Sequence, residues 1–278
     1  MRTRLTAVSA AVAAWAALTL LSGCVTAPSR QTTTNALDAI LAGPRPATER
    51  SRDQDRHPAQ TLLFFGIRPG SRVLEVWPTT GYFTRIIAPL VRRSGQFYVG
   101  VIPPGHSPFL AARLAQYRRM LASRPQLYDR VHVVPFPADG SDALPPGSVD
   151  MALAFGDLHR WMALGVTPQA LASIYRALAP GGVLGVVDNR ADPSVAQDPR
   201  ARNGYVRQDY AIRLIESAGF RLVATSEVNA NPLDTRNYPA GVWTLPPAYR
   251  LGQIDRARYA AIGESDRFTL KFIKRGGH

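Results

Sequence analysis

Gly156-Asp157-Leu158-His159-Arg160-Trp161 follows an apolar run and carries residue types suited to proton chemistry. His159 is the candidate general base, because an unperturbed imidazole titrates near neutrality and can take a proton from an oxygen or nitrogen nucleophile. Asp157 would orient that ring or hold the amino group of a bound cofactor. In the plainer alternative His159 is a polar cap and Trp161 a packing aromatic at a sheet edge. A second stretch, 72–89 (RVLEVWPTTGYFTRIIAP), has the shape of a ligand-binding turn. Val73, Leu74, Val76 and Trp77 read as a buried strand, Pro78-Thr79-Thr80-Gly81 breaks it, and Phe83, Ile86, Ile87 and Leu90 recur at helical spacing. Strand, tight turn and helix together aim backbone N–H groups and a helix N-terminus at a ligand. Asp188-Asn189-Arg190 closes another apolar run, where Arg190 either grips an anionic substrate or forms a loop salt bridge.

The elements needed to position these residues are legible from periodicity. Apolar runs at 96–102, 131–136, 150–155, 183–187 and 221–228 read as strands, and 267–274 alternates as an edge or antiparallel strand does. Helical patterns fall at 59–66, 109–123, 167–178, with Thr167 as N-cap and Pro168 behind it, and 205–218. Strands alternating with helices predict an α/β fold with a doubly wound, mostly parallel sheet. The segment 229–265 breaks the rhythm with Pro232, Pro239, Pro246 and Pro247 among Tyr238, Trp243 and Tyr249. A loop that long is either a lid that sets Trp243 against a substrate or an ordinary packing flap.

The first 24 residues have the form of an export signal: Arg2 and Arg4, an apolar stretch from Leu5 to Leu20, then Leu21-Ser22-Gly23-Cys24. Cys24 is the only cysteine. The Leu-Ser-Gly-Cys ending resembles the bacterial lipobox, which implies cleavage after residue 23, lipidation of Cys24 and attachment to the cell envelope. Val25 lacks the inner-membrane retention signal that an Asp there would give, so the outer membrane is favoured where one exists. A retained transmembrane anchor is the alternative, though the run is short for a bilayer. The expected organisation is a signal at 1–23, a tether at 24–50 and a folded domain at 51–278. The formal charge is +13. Loss of 1–23 removes two Arg and no acid, leaving 31 cations against 20 acids, or +11. Nearly all the cations are Arg and none form a stripe, so no nucleic-acid partner is expected. Five scattered His and no second thiol predict no metal site, and the absence of G-x-S-x-G argues against a serine hydrolase.

V-L-E-V-x-x-x-x-G, then G-S-V-D-M-A-L-A-F, then L-A-P-G-G-V-L-G-V-V-D resemble, in order and spacing, the class I S-adenosylmethionine-dependent methyltransferases. The lead-in H-P-A-Q-T-L-L-F-F-G, the loop G-V-W-T-L-P-P and the ending I-G-E-S-D-R-F-T-L-K-F resemble a bacterial group of predicted methyltransferases of exported or envelope type. The resemblance implies a Rossmann-like, seven-stranded sheet with its last strand antiparallel and S-adenosyl-L-methionine at the carboxyl ends of the first strands. It places cofactor contacts at Glu75, Trp77, Thr79, Gly81, Tyr82, Ile102 and Asp139. Glu75 matches the acid of the family's first motif and Gly81 its last glycine, while Trp77 and Thr79 stand where two further glycines are usual. Ile102 stands where an acid normally receives the ribose hydroxyls. Asp139 and Asp142 would serve the adenine side or simply favour a turn. The implied function is methyl transfer to a small-molecule or envelope acceptor. The alternative is a methyltransferase-like scaffold that has lost catalysis and binds another ligand.

Overall fold

The computed structural model describes residues 29–103, 108–136, 139 and 141–275. The expected signal peptide and Cys24 lie outside the described residues. In chain order the elements are α1 (Arg30–Ala42), α2 (Ala47–Arg50), α3 (Asp53–Arg56), α4 (Pro58–Phe65), β1 (Arg72–Val76), α5 (Thr84–Val91), β2 (Gln96–Val101), α6 (Pro108–Ala122), α7 (Pro125–Tyr128), β3 (Val131–Pro135) and β4 (Val149–Phe155). They continue as α8 (Leu158–Leu164), α9 (Thr167–Ala177), β5 (Leu178–Asn189), α10 (Gln208–Ser217), β6 (Phe220–Ser226), α11 (Arg256–Ile262) and β7 (Arg267–Lys274).

The seven strands form one sheet in the order β3-β2-β1-β4-β5-β7-β6. The strands β3, β2, β1, β4 and β5 pair in parallel, and β7 lies antiparallel between β5 and β6. Because successive strand residues point to opposite faces, the sheet feeds two cores. Leu74, Val76, Ala152 and Ala154 pack under α8, α9 and α10. Val73, Met151 and Leu153 pack under α1, α4 and α5. Helices on both faces bury both sides of the central strands, which is why β4 and β5 read as almost unbroken apolar runs.

Residues 30–50 are not a tether. Thr33 and Leu37 of α1 are buried against the layer formed by α4 and α5, and Arg45 and Glu49 are buried as well. The apolar spacing in α1 is sparse, which hid its docking face from a compositional reading. Several boundaries also differ, among them the start of α10, three residues later than expected. β5 begins five residues earlier than expected, since Leu178 pairs with Val149 across an irregular register before Val183 meets Met151. The N-cap of α9 is Val166, so Thr167 is already helical. Helix α8 forms directly after Gly156, where only site residues were read.

Candidate active site

Parallel strands order β1 next to β4, and the connections leave their shared edge in opposite directions. A crevice opens there at the carboxyl ends of the strands, as open α/β sheets dictate. It holds a cleft of about 560 Å³, within the usual range for a small-molecule site. Phe83 and Phe155, stacked 3.6 Å apart, line one side. Thr79 and Thr80 of the β1–α5 turn, Gly156 and His159 after β4, and Asn189 at the end of β5 line the cleft. The segment after β6 lies over it, contributing Trp243, Pro246, Pro247 and Arg250. A narrower apolar slot adjoins it, lined by Trp77, Val101, Ile102 and Phe109.

His159 sits in the first turn of α8 and is 7% exposed. Its Nδ1 lies 2.7 Å from Oδ1 of Asp188, and its backbone N–H donates to Oδ2 of the same carboxylate at 3.1 Å. Asp188 is fully buried at the end of β5. With Nδ1 so held, Nε2 is the ring nitrogen left for chemistry. Trp243 presents its ring edgewise to His159, centroids 6.1 Å apart. An imidazole fixed by a buried carboxylate and opening on a cleft is the arrangement of a general base with its orienting partner.

Asp157 does not orient His159. Its carboxylate turns back to accept from the backbone N of Phe155 at 3.2 Å and from Arg160 Nη1 at 2.8 Å. Burial pushes the Asp157 carboxyl up to about 8, against the pull of Arg160 and with repulsion from Asp188. The acid two residues before the histidine was legible; the acid 29 residues after it, brought in by strand pairing, is the one that touches the ring.

The positions read as cofactor contacts divide. Thr79 lines the cleft and Ile102 the slot. Gly81 has φ 81°, and a Cβ there would lie 2.5 Å from Met120 Cε. That glycine lets the chain turn tightly into α5. Trp77 borders the slot but is only 4% exposed; its ring packs edge-on against Phe136 and Trp161 while Arg160 lies over it. Its φ of 45° is left-handed, a conformation costly for a residue with a Cβ. Glu75 lies beneath the site, where Thr84 donates to it at 2.5 Å and Tyr117 is hydrogen-bonded to Thr84 at 2.8 Å. Burial raises the Glu75 carboxyl to about 7. The Tyr82 hydroxyl donates to Asp53 at 2.6 Å, and its ring supports Arg56. Asp139 is exposed and accepts from the backbone N of Ser141 at 2.9 Å.

Of the substrate positions, only Trp243 reaches the cleft. Trp161 is wholly buried behind Trp77. Arg190 is committed to Glu227 at 2.5 Å and Asp266 at 3.4 Å, in the salt-bridge reading left open above. The cleft's cations come instead from Arg52, which caps α3, and from Arg56, Arg113, Arg160, Arg250 and Arg267, and no carboxylate among the described residues lines it. The R-D-Q-D-R spacing sets Arg52 and Arg56 on one helix face, a legible signal whose destination was not.

No family model and no curated protein matches the chain. Solved structures do. A S-adenosylmethionine-dependent methyltransferase from Aquifex aeolicus superposes with TM-score 0.55 at 16% identity, over 86% of this chain and 97% of the other. The [4+2]-cyclase SpnF gives 0.57 at 19%, over 90% and 98%. CrArsM, an arsenic(III) S-adenosylmethionine methyltransferase from Chlamydomonas reinhardtii, gives 0.51 at 17%, over 86% and 73%. The chain therefore has the class I fold shared by solved S-adenosylmethionine-dependent methyltransferases.

Proposed function

We propose that the chain binds S-adenosylmethionine at the carboxyl edge of β1 and β4 and transfers its methyl group to an acceptor in the cleft. The observation that carries this reading is the His159–Asp188 pair opening on a cleft of about 560 Å³ at that edge. The volume suits a nucleoside-sized ligand. Thr79, Thr80 and the tight turn at Gly81 would hold its amino-acid end, and the apolar slot beside Ile102 and Trp77 suits a flat base. Bound there, the cofactor supplies an electrophilic methyl group. His159 Nε2 accepts the proton released by a hydroxyl or amine acceptor, and Asp188 stabilises the imidazolium that results. Trp243 and Pro246–Pro247 shield the transfer from water. Calorimetry of the full chain with S-adenosylmethionine tests the reading, and no heat at millimolar cofactor overturns it.

One observation favours a second reading, a methyltransferase-like protein that binds another ligand without catalysis. Trp77 fills space at the end of β1, and no carboxylate among the described residues lines the cleft to receive ribose hydroxyls. An exported protein would also need cofactor outside the cytoplasm. The two readings separate on the same titration.

The proposal extends to location. Leu-Ser-Gly-Cys supports lipidation of Cys24 and attachment to the cell envelope. No helix among the described residues is long and apolar enough to cross a membrane. Since α1 starts at Arg30 with Ser29 as its cap, four residues lie between Cys24 and that cap, a span of at most roughly 18 Å. Labelled palmitate should enter the wild-type chain in bacteria and not Cys24→Ala.

A further inference from the structure

We propose that the cleft contains a subsite for a doubly charged oxyanion, held by Arg52, Arg56 and Arg267 on one wall and Arg250 on the overlying segment. The proposal deepens the function above, since it makes the methyl acceptor an anion, and it rests on that cleft being the acceptor's site.

Glu264, 2% exposed, is the hub. Its Oε1 accepts from Arg52 Nε at 2.5 Å, and its Oε2 from Arg56 Nε at 2.9 Å and from Arg267 Nη2. One carboxylate thus fixes three guanidiniums arriving from α3 and β7. The terminal Nη donors of Arg52 and Arg56 meet no acceptor among the described residues, although these side chains are only 17% and 21% exposed. These Nη groups open on the solvent of the cleft, where an anion can replace water as their acceptor. A bound oxyanion does so in forked, charge-assisted geometry. Arg250 stacks on Trp243, 4.5 Å from the ring centroid, and has no carboxylate partner among the described residues.

Charge balance sets the ligand class. The four guanidiniums outnumber the two carboxylates behind the wall, Glu264 and Asp55, and Arg113 and Arg160 add to the cleft's positive charge, which favours a multiply charged anion over a singly charged one. Burial pulls the Arg56 guanidinium down to about 10 against the attraction of Glu264, with repulsion from Arg267 and Arg52 adding to the fall. An anion relieves that repulsion. The same wall disfavours the ammonium and sulfonium of S-adenosylmethionine, which assigns the arginines to the acceptor. A phosphomonoester and a dicarboxylate share the required chemistry.

The test is thermal melting of the full chain at pH 8 with inorganic phosphate or succinate, against sodium chloride at equal ionic strength. Phosphate or succinate should raise the melting temperature saturably and chloride should not. The tighter of the two assigns the ligand as phosphomonoester or dicarboxylate. Arg250→Gln, which breaks no ion pair, and Arg52→Gln should each weaken binding about tenfold, and the exposed Arg213→Gln should not. The proposal is overturned if neither anion acts beyond chloride, or if both cleft variants bind like wild type. Competition with S-adenosylmethionine would also overturn it, because the arginines would then hold the cofactor's own carboxylate. If phosphate binds and S-adenosylmethionine gives no signal, the subsite stands and the methyltransferase reading falls.

Discussion

Asp188 holds His159 twice, at the ring nitrogen Nδ1 (2.7 Å) and at the backbone nitrogen (3.1 Å), so one buried carboxylate sets both the position of α8 and the aim of the imidazole. The double contact fixes His159 relative to β5 instead of leaving it to the loop after β4. If His159 is the base, Asp188→Asn leaves the ring in place but presents the wrong donor pattern to Nδ1. Methyl transfer should then fall 10²- to 10⁴-fold with KM little changed. His159→Gln should cost about as much, and the double variant no more than either alone. Initial rates of the three variants check this, and additive losses would show that the residues act separately.

Glu75 gives a pH signature. Burial raises its carboxyl from 4.5 to about 7 against the Thr84 hydrogen bond. The native state therefore binds a proton that the unfolded chain has lost across that interval, so stability falls as pH rises from about 4.5 to 7. Glu75→Gln keeps an acceptor for Thr84 and removes the dependence. Urea melts should show the variant equal to wild type near pH 4 and more stable by on the order of 3 kcal/mol at pH 8.

Glu264 has the opposite sign. Burial alone would raise its carboxyl, but Arg267, Arg56 and Arg52 overcome that and hold it at about 2. Its contribution is present above about pH 4.5 and is lost as pH falls towards 2. Glu264→Gln removes the negative charge that three guanidiniums share and replaces one of its two acceptor oxygens with an amide nitrogen, and should cost about 3–5 kcal/mol at pH 7. Denaturant melts at pH 7 and pH 3 check both the size of that gap and its narrowing in acid.

The mostly parallel sheet was legible because buried parallel strands must be largely apolar on both faces, as 73–76, 151–155 and 183–187 are; the strand order was not. The β1–α5 turn was legible from Pro78 and Gly81. What could not be read were the partnerships. Asp188 reaches His159 only through β4–β5 pairing, and Glu264 gathers Arg52 and Arg56 from more than 200 residues away. Nothing local distinguishes a carboxylate that will meet such partners from one that caps a turn. The docking of α1 was missed for a related reason: Thr33 and Leu37 make a sparse face whose burial depends on α4 and α5.

Trp77 separates packing from backbone strain. Its indole is buried against Phe136 and Trp161 while its φ is 45°. Trp77→Ala loses the packing, about 3–5 kcal/mol. Trp77→Gly loses the same contacts yet relieves the left-handed backbone, so it should be the more stable of the two by about 1 kcal/mol. Thermal unfolding of both variants tests the order.

The most direct measurement is S-adenosylmethionine binding to the full chain and to Thr79→Trp, whose new indole projects from an exposed position on the cleft wall. One saturable site is expected in the wild-type chain. Affinity should fall tenfold or more in the variant, with its melting temperature unchanged. Absence of binding to the wild-type chain at millimolar cofactor, or equal binding to both proteins, would contradict a cofactor site at the carboxyl edge of β1 and β4.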